Sequence, residues 1–417
     1  MKVVHLSHTD GGSGAGRAAY RLHQTLGRMG VESSMLVGQK RTDDQTVQST
    51  RDSTFGRISI KLFEYLEARA GRSMRKDPST FFSPARYAHF NPAKETVVKR
   101  ADIVSTYWIN GAFISPEGLG RTKKPVVWRL SDIWPFSGGC HYPGTCTGFQ
   151  EHCGNCPQLK NPGEADASKK LWKRKWKAWQ SLNLTVAAPS NWIANLANRS
   201  SLFGRFPIHV IPTGIDLEQF RPSDMAAARN RLSLPQDRLI ILFGAMDPAD
   251  DMRKGYHELF AALQYLAKTP LKEKVLAVLF GGNDAPNLPV PSVSLGRLNS
   301  ESALCIAYNS ADLVIVPSLE DNLPNVALEA ISCGAPVAGF DVCGMPDIIK
   351  DEWNGKLANH KGGKDLGMCI AEALNDRERL KAMGGNARKH AESNFSLVGQ
   401  ARQYIDLYEK LLNERTN

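Results

Sequence analysis

Two carboxylates with seven residues between them, Asp321 and Glu329, stand in the run PSLEDNLPNVALEAISCGAPVAG at residues 317–339. A carboxylate that accepts two hydrogen bonds suits the diol of a ribose, and unpaired backbone N–H groups at a helix start suit a phosphate. Asn322, Leu323 and Pro324 read as the turn before that helix, with its onset near Asn325. Ribose beside pyrophosphate describes a nucleotide-linked ligand, although an ordinary solvated helix can also carry two such carboxylates. Arg253 and Lys254 precede another apolar-patterned helix, where a lysine is a point charge for a diphosphate. Asp132 and His141 are polar candidates for contact with a sugar or an acceptor, and Asp132 equally for a hydrogen-bond acceptor within its loop. Cys140, Cys146, Cys153 and Cys156, spaced C-x5-C-x6-C-x2-C, can enclose a structural zinc ion, remain reduced thiols or pair as disulfides.

The elements that must hold these residues are legible as short apolar runs between glycine- or proline-bearing loops. In the first half, residues 2–7, 33–38, 101–108, 125–130, 184–188 and 208–211 read as buried strands; in the second, 239–244, 274–281, 293–296, 311–316 and 335–340 do. Helical patterns alternate with them, which predicts two parallel sheets. Gly334 ends the helix of Glu329 as its cap. The loop HTDGGSGAG after the first strand lets backbone approach a ligand closely, yet it is not a dinucleotide fingerprint, because Arg17 stands where the last glycine would be required. A plain flexible loop is its other reading.

Two basic stretches complete the inventory. Residues 55–66 have apolar positions at helical spacing, with Arg57, Lys61, Arg69, Arg72, Arg75 and Lys76 around them. In KKLWKRKWKAW at 169–179, Trp172, Trp176 and Trp179 recur at helical spacing among six lysine or arginine residues. Both suit an anionic membrane surface, and the first equally a helix packed on its domain with a solvated basic face. The net charge of +10 favours an anionic partner, but no nucleic-acid module accompanies it. Apolar content of 42% and charged content of 23% over 417 residues describe a globular protein with room for two domains. No apolar run reaches the roughly 18 residues of a membrane span, and residues 1–7 are too short and strand-like for a signal peptide, so the expected location is the cytoplasm.

The 317–339 run resembles the acidic pair of the family 4 retaining glycosyltransferases, followed by that family's EA-x-x-x-G-x-P-V run at residues 329–337. Its DNLPN form, and the segment SDIWPFSGGCHYPGTCTGFQEHCGNCPQL at 131–159, resemble the bacterial exopolysaccharide and colanic acid branch, and PTGID at 212–216 resembles the family's domain junction. The resemblance implies an α/β GT-B fold: two doubly wound, Rossmann-like parallel-sheet domains facing a central cleft, with a C-terminal helix crossing back to the N-terminal domain. The acceptor-side domain would cover residues 1–212, completed by 396–417, and the nucleotide-sugar domain 213–395. It further implies transfer of a hexose, with retention, from a UDP- or GDP-type sugar to a hydroxyl of a growing glycan or lipid-linked oligosaccharide, at the inner face of the plasma membrane and without a catalytic metal. Lys254 would meet the diphosphate and Gly12 the donor or acceptor. Two departures stand out: Ser131 occupies the place of the branch's usual histidine, and Ala245 or Met246 that of a common arginine, with Arg253 the nearby replacement. A nucleotide-sugar epimerase, a phosphorylase on a similar fold and a non-catalytic nucleotide-sugar-binding protein are the rival readings.

Overall fold

Continuous runs of apolar residues, rather than alternating ones, build the strands of this chain, and such strands need helices on both faces. A computed structural model describes residues 1–50, 54–88, 90–244, 251–282 and 287–414, the side chains of 54–60 excepted. Contacts divide the chain into two units, Met1–Thr213 with Val398–Asn417, and Gly214–Leu397.

The first unit holds strands β1 (Lys2–Thr9), β2 (Glu32–Gln39), β3 (Val47–Ser49), β4 (Ile103–Thr106), β5 (Val126–Arg129), β6 (Leu184–Ala188) and β7 (Ile208–Val210). They pair in parallel in the order β3-β2-β1-β4-β5-β6-β7. Side chains alternate between two cores: Val4 and Leu6 join Val104, Trp128 and Val186 on one face, while Val3 joins Met35, Ile103 and Val127 on the other. The helix Leu397–Asn413 supplies Ala401, Tyr404, Leu407 and Tyr408 to that second core.

The second unit holds β8 (Leu239–Gly244), β9 (Val275–Phe280), β10 (Ser292–Ser294), β11 (Leu313–Val316), β12 (Val337–Phe340) and β13 (Gly355–Ala358), parallel in the order β10-β9-β8-β11-β12-β13. Here too the alternation decides the layers. Ile240, Leu242, Val314 and Val316 pack with the helix Asn325–Ser332, whereas Ile241, Phe243, Leu313 and Ile315 pack with the helix Tyr256–Leu266.

The basic-aromatic run forms the helix Ala167–Trp179, but its tryptophans do not face outward as a membrane contact requires. Trp172 and Trp179 are buried, Trp179 Nε1 donates to Pro116 O at 3.0 Å and Trp172 Nε1 to Ser201 Oγ at 3.1 Å. Trp176 stacks on Trp172 and lies under the Arg205 guanidinium. A three-and-four spacing of tryptophans marks one face of a helix, and in this chain that face is a core face. Among the described residues no helix is long and apolar enough to cross a membrane.

Candidate active site

In the second sheet β8 and β11 are neighbours, and the chain leaves them in opposite directions, from β8 toward β9 and from β11 toward β12. Beyond the carboxyl ends of two such strands a crevice opens between the outgoing loops, the usual ligand position in doubly wound sheets. The loop after β11 carries Asp321. The loop after β8 ends in a turn, Met252–Lys254, whose start is capped by Asp251. Residues 245–250, including Ala245 and Met246, lie outside the described residues.

That turn docks directly on the Asp321 loop. Leu319 N–H donates to Arg253 O at 2.7 Å, and Lys254 Nζ meets Asp321 Oδ2 at 2.6 Å. Gly255, with φ of +69°, makes the approach possible, since a Cβ there would lie 1.8 Å from Pro317 O. Lys254 remains half exposed. The Arg253 guanidinium pairs with Asp251 at 2.7 Å within the same turn.

After Asn322, Leu323 and Pro324, all buried, the helix begins at Asn325, and no side chain caps it. Glu329 sits within that helix but not on an open face: it is 4% exposed, and its Oε2 accepts from Tyr308 Oη at 3.0 Å. Tyr308 is fully buried, edge-on to Phe280. The structure thus brings Lys254 to Asp321 and sets Glu329 deeper, on a tyrosine tether that sequence spacing does not disclose. Gly334 ends the helix with φ of +75°.

In the first unit the strand order reverses between β1 and β4. Gly12, with φ of +73°, turns the chain out of β1, and Ser13 caps the helix Gly14–Arg28 by accepting from Gly16 N–H at 3.1 Å. Asp132, after β5, accepts from His141 Nδ1 at 2.6 Å, from Trp108 Nε1 at 3.1 Å and from Trp134 N–H at 2.8 Å. Ser131 lies beside the buried Arg129, whose guanidinium also reaches Thr213 Oγ1 at 2.7 Å. Ser83 and Trp108 join this group although nothing in the sequence singles them out.

Residues 225–390 match the family model described as glycosyl transferases group 1. The chain is similar to D-inositol 3-phosphate glycosyltransferase 2 of Catenulispora acidiphila, 30% identical over 254 residues, which is 55% of this chain and 58% of that protein. It therefore spans little more than half the length of the curated relatives it matches. Among solved structures, sucrose-phosphate synthase from Thermosynechococcus elongatus aligns over 99% of this chain and 100% of its own, with a TM-score of 0.66 and 17% identity. Anabaena HepE in complex with UDP-glucose aligns over 98% and 100%, with a TM-score of 0.65 and 16% identity. At these identities the likeness is one of fold: two Rossmann-like parallel-sheet domains of the kind glycosyltransferases use.

The four-cysteine loop gathers its thiols in one place. Cys140, Cys146, Cys153 and Cys156 line one small cavity with Phe149 and Ser168. Yet among the described residues no group of three or more His, Cys, Asp or Glu side chains is placed to hold a metal ion, and the four are free thiols. With no metal bound, burial pushes the Cys153 thiol up to about 12 and the Cys156 thiol to about 11. The structure does not show the zinc expected from the spacing; in the loop as it stands Gly138 N–H donates to Cys153 Sγ at 3.1 Å. Beneath it Lys175, wholly buried, donates to Trp134 O and Ser137 O with its ammonium 3.6 Å from the Trp134 ring centre.

Proposed function

We propose that this protein is a retaining glycosyltransferase that moves a hexose from a UDP- or GDP-linked sugar to a hydroxyl of a growing, lipid-linked glycan. The observation that carries the reading is the docking of the Met252–Lys254 turn on the loop after β11, which puts Lys254 on Asp321 just ahead of the helix that holds Glu329. Transfer leaves negative charge on the departing diphosphate, and a fixed cation with helix-start N–H groups stabilises that charge without a metal. Lys254 and the N–H groups of residues 322–325 take that task, with Arg253 shaping the turn. Glu329 accepts from the ribose, Asp321 addresses the sugar, and Asp132 and Gly12 belong to the first unit's acceptor side. An ion pair with a half-exposed lysine stabilises by only about 0–1 kcal/mol, so a diphosphate readily competes with Asp321 for Lys254.

From this competition follow different effects for two substitutions. Lys254→Ala is expected to weaken UDP or GDP by about tenfold to a hundredfold while sparing the free nucleoside, the effect of losing one charged hydrogen bond. Asp321→Asn releases Lys254 and should leave diphosphate affinity within about fivefold while turnover of the full donor falls. Calorimetry with each nucleotide and nucleoside reads the first, and nucleotide release from UDP-glucose and GDP-mannose the second. A Lys254→Ala protein that binds both diphosphates like the parent would place the donor site elsewhere.

The named activity of the curated relatives favours one second reading, a phosphorylated polyol as acceptor. Stimulation of nucleotide release by inositol 3-phosphate, but not by a lipid-linked oligosaccharide, selects it.

Membrane association, in this reading, belongs to the helix Thr54–Met74 instead of the tryptophan helix. Leu62 and Tyr65 are 53% and 55% exposed there, among exposed Lys61, Arg69 and Arg72. Each basic residue near an anionic surface contributes about 1 kcal/mol, and two inserted apolar side chains add to it. The chain should sediment with phosphatidylglycerol vesicles at low salt, and Leu62→Ser with Tyr65→Ser should weaken that binding about tenfold. Equal sedimentation of parent and double variant would mean that this face is merely solvated.

A further inference from the structure

Between β5 and the helix Ala167–Trp179 the chain runs through residues 130–166 with two short turns, Trp134–Phe136 and Gly148–Gln150, as its regular structure. Every residue from 132 to 141 is nevertheless buried. Unstructured loops of this length are uncommon in compact domains, and a buried one needs fixed points of its own. Ile133, Trp134, Phe136 and Phe149 give it some, in the first core. Beyond them Cys140, Cys146, Cys153 and Cys156 line one cavity with space of about 20 Å³, room for a single ion or water molecule. The other walls are Pro143, Phe149, Ser168 and three glycines. A water there meets sulfur, a weak hydrogen-bonding partner, whereas a soft divalent cation meets the ligands it prefers.

Two features of the surroundings favour anionic sulfur. Backbone donors point at it: Gly138 N–H donates to Cys153 Sγ at 3.1 Å and Gly148 N–H to Cys146 Sγ at 3.4 Å. A neutral thiol is a weak acceptor, and the same donors serve a thiolate far better. Cys153, Gly154 and Asn155 all take positive φ, +52°, +97° and +47°, in a tight turn that brings Cys153 and Cys156 to the same cavity. That turn is seated on the next helix, since Gly154 N–H donates to Ser168 Oγ at 3.0 Å and Cys156 N–H to Asp166 Oδ2 at 2.8 Å. The second feature is charge. The Lys175 ammonium is wholly buried, bonded to two backbone carbonyls, and forms no ion pair among the described residues. Cys153 and then Cys140 act on it most strongly through space, ahead of Asp132. A buried cation is costly without a compensating charge.

We propose that Cys140, Cys146, Cys153 and Cys156 bind one zinc ion as a closed structural site, which ties the loop carrying Asp132 and His141 to the start of the helix Ala167–Trp179. The four sulfurs share a cavity but do not converge on a common point as they stand, so binding draws them together. Four thiols lose four protons to solvent as four zinc–sulfur bonds form, and the site passes from neutral to doubly negative. Lys175 beneath it then has the anionic neighbour that the protein alone does not give it. Four thiolates leave zinc no open position, so its task is to hold the loop. The site belongs to the first unit alone and goes beyond the glycosyl-transfer reading.

The test uses the untagged full chain purified without chelator. Elemental analysis should find about one zinc per chain, and a mercurial that caps thiols should release it to a metallochromic dye. Stripping the zinc with a strong chelator should lower the melting temperature by about 10 °C, and zinc alone should restore it. Cys153→Ser and Cys156→Ser should each bring the zinc content below about a tenth of the parent's, whereas Cys369→Ser, in the second unit's helix Gly363–Asn375, should keep it. A folded parent chain that retains less than about a tenth of an equivalent, after incubation with zinc and gel filtration, overturns the site whatever the variants do. Zinc retained equally by the parent, Cys153→Ser and Cys156→Ser overturns it too. Nucleotide release from UDP-glucose or GDP-mannose is read separately, so loss of either reading leaves the other standing.

Discussion

Gly255→Ala should abolish nucleotide binding and lower the melting temperature of the second unit by several degrees. The residue has φ of +69°, which costs a non-glycine residue about 1–2 kcal/mol, and its new Cβ would lie 1.8 Å from Pro317 O and 2.7 Å from Pro317 C. Neither atom can yield, because Pro317 follows directly on β11. The turn has to lift off the loop, taking with it the bond from Leu319 N–H to Arg253 O and the contact of Lys254 with Asp321. A loss of about 3 kcal/mol corresponds to roughly 6–12 °C for a unit of this size. Gly296→Ala is the control, since Gly296 has φ of +63° but nothing within 4 Å of the added carbon. Only the backbone cost remains there, so scanning calorimetry should show a small shift for Gly296→Ala and a large one for Gly255→Ala. Equal shifts would mean that the turn does not need its contact with Pro317.

Glu329→Ala should weaken the free nucleoside and the nucleoside diphosphate by the same factor, about tenfold to a hundredfold for the loss of a hydrogen bond to a charged group. The equality follows from its assigned partner, the ribose, which both ligands share. Lys254→Ala breaks that equality by touching the diphosphate alone, so the two variants together separate the halves of the nucleotide. Tyr308→Phe asks whether the tether matters: with the carboxylate retained but its bond from Tyr308 Oη removed, affinity should fall less than in Glu329→Ala. Calorimetric titration of uridine and UDP, or guanosine and GDP, checks all three. Affinities unchanged in Glu329→Ala would show that its carboxylate serves only the packing of its helix.

Most of the architecture is legible in the sequence because parallel strands buried on both faces leave unbroken apolar runs. Residues 184–188 and 239–244 coincide with β6 and β8, and the helix onset at Asn325 is where the turn residues place it. The strands that escape are β3 and β13, at the edges of their sheets, where a three- or four-residue strand carries too little apolar pattern. Direction of facing is harder to read than helicity. In Ala167–Trp179 the tryptophans lie on one face whether that face meets lipid or core, and only tertiary packing chooses. In the helix of Glu329 the spacing shows a carboxylate on a turn, but its depth and its tyrosine come from a helix ahead of β11. Ser83 reaches His141 across 58 positions of sequence through a bridge at Phe82 and Cys140, a contact with no local signature. Gly255 has no such local signature either, because its need to be a glycine depends on Pro317, which only the paired strands bring near.

The helix Leu397–Asn413 places Tyr404 and Tyr408 in the same core as Val3, Leu22 and Met35. On the ribosome this reverses the order in which the halves mature. The sheet of β1–β7 is synthesised first but waits with that face uncovered while Gly214–Leu397 emerges, roughly 10–40 s at ordinary elongation rates, and the second unit can close its own core in the meantime. During that interval the nascent first unit presents a sticky aromatic-sized gap, which makes it the half that chaperones would guard.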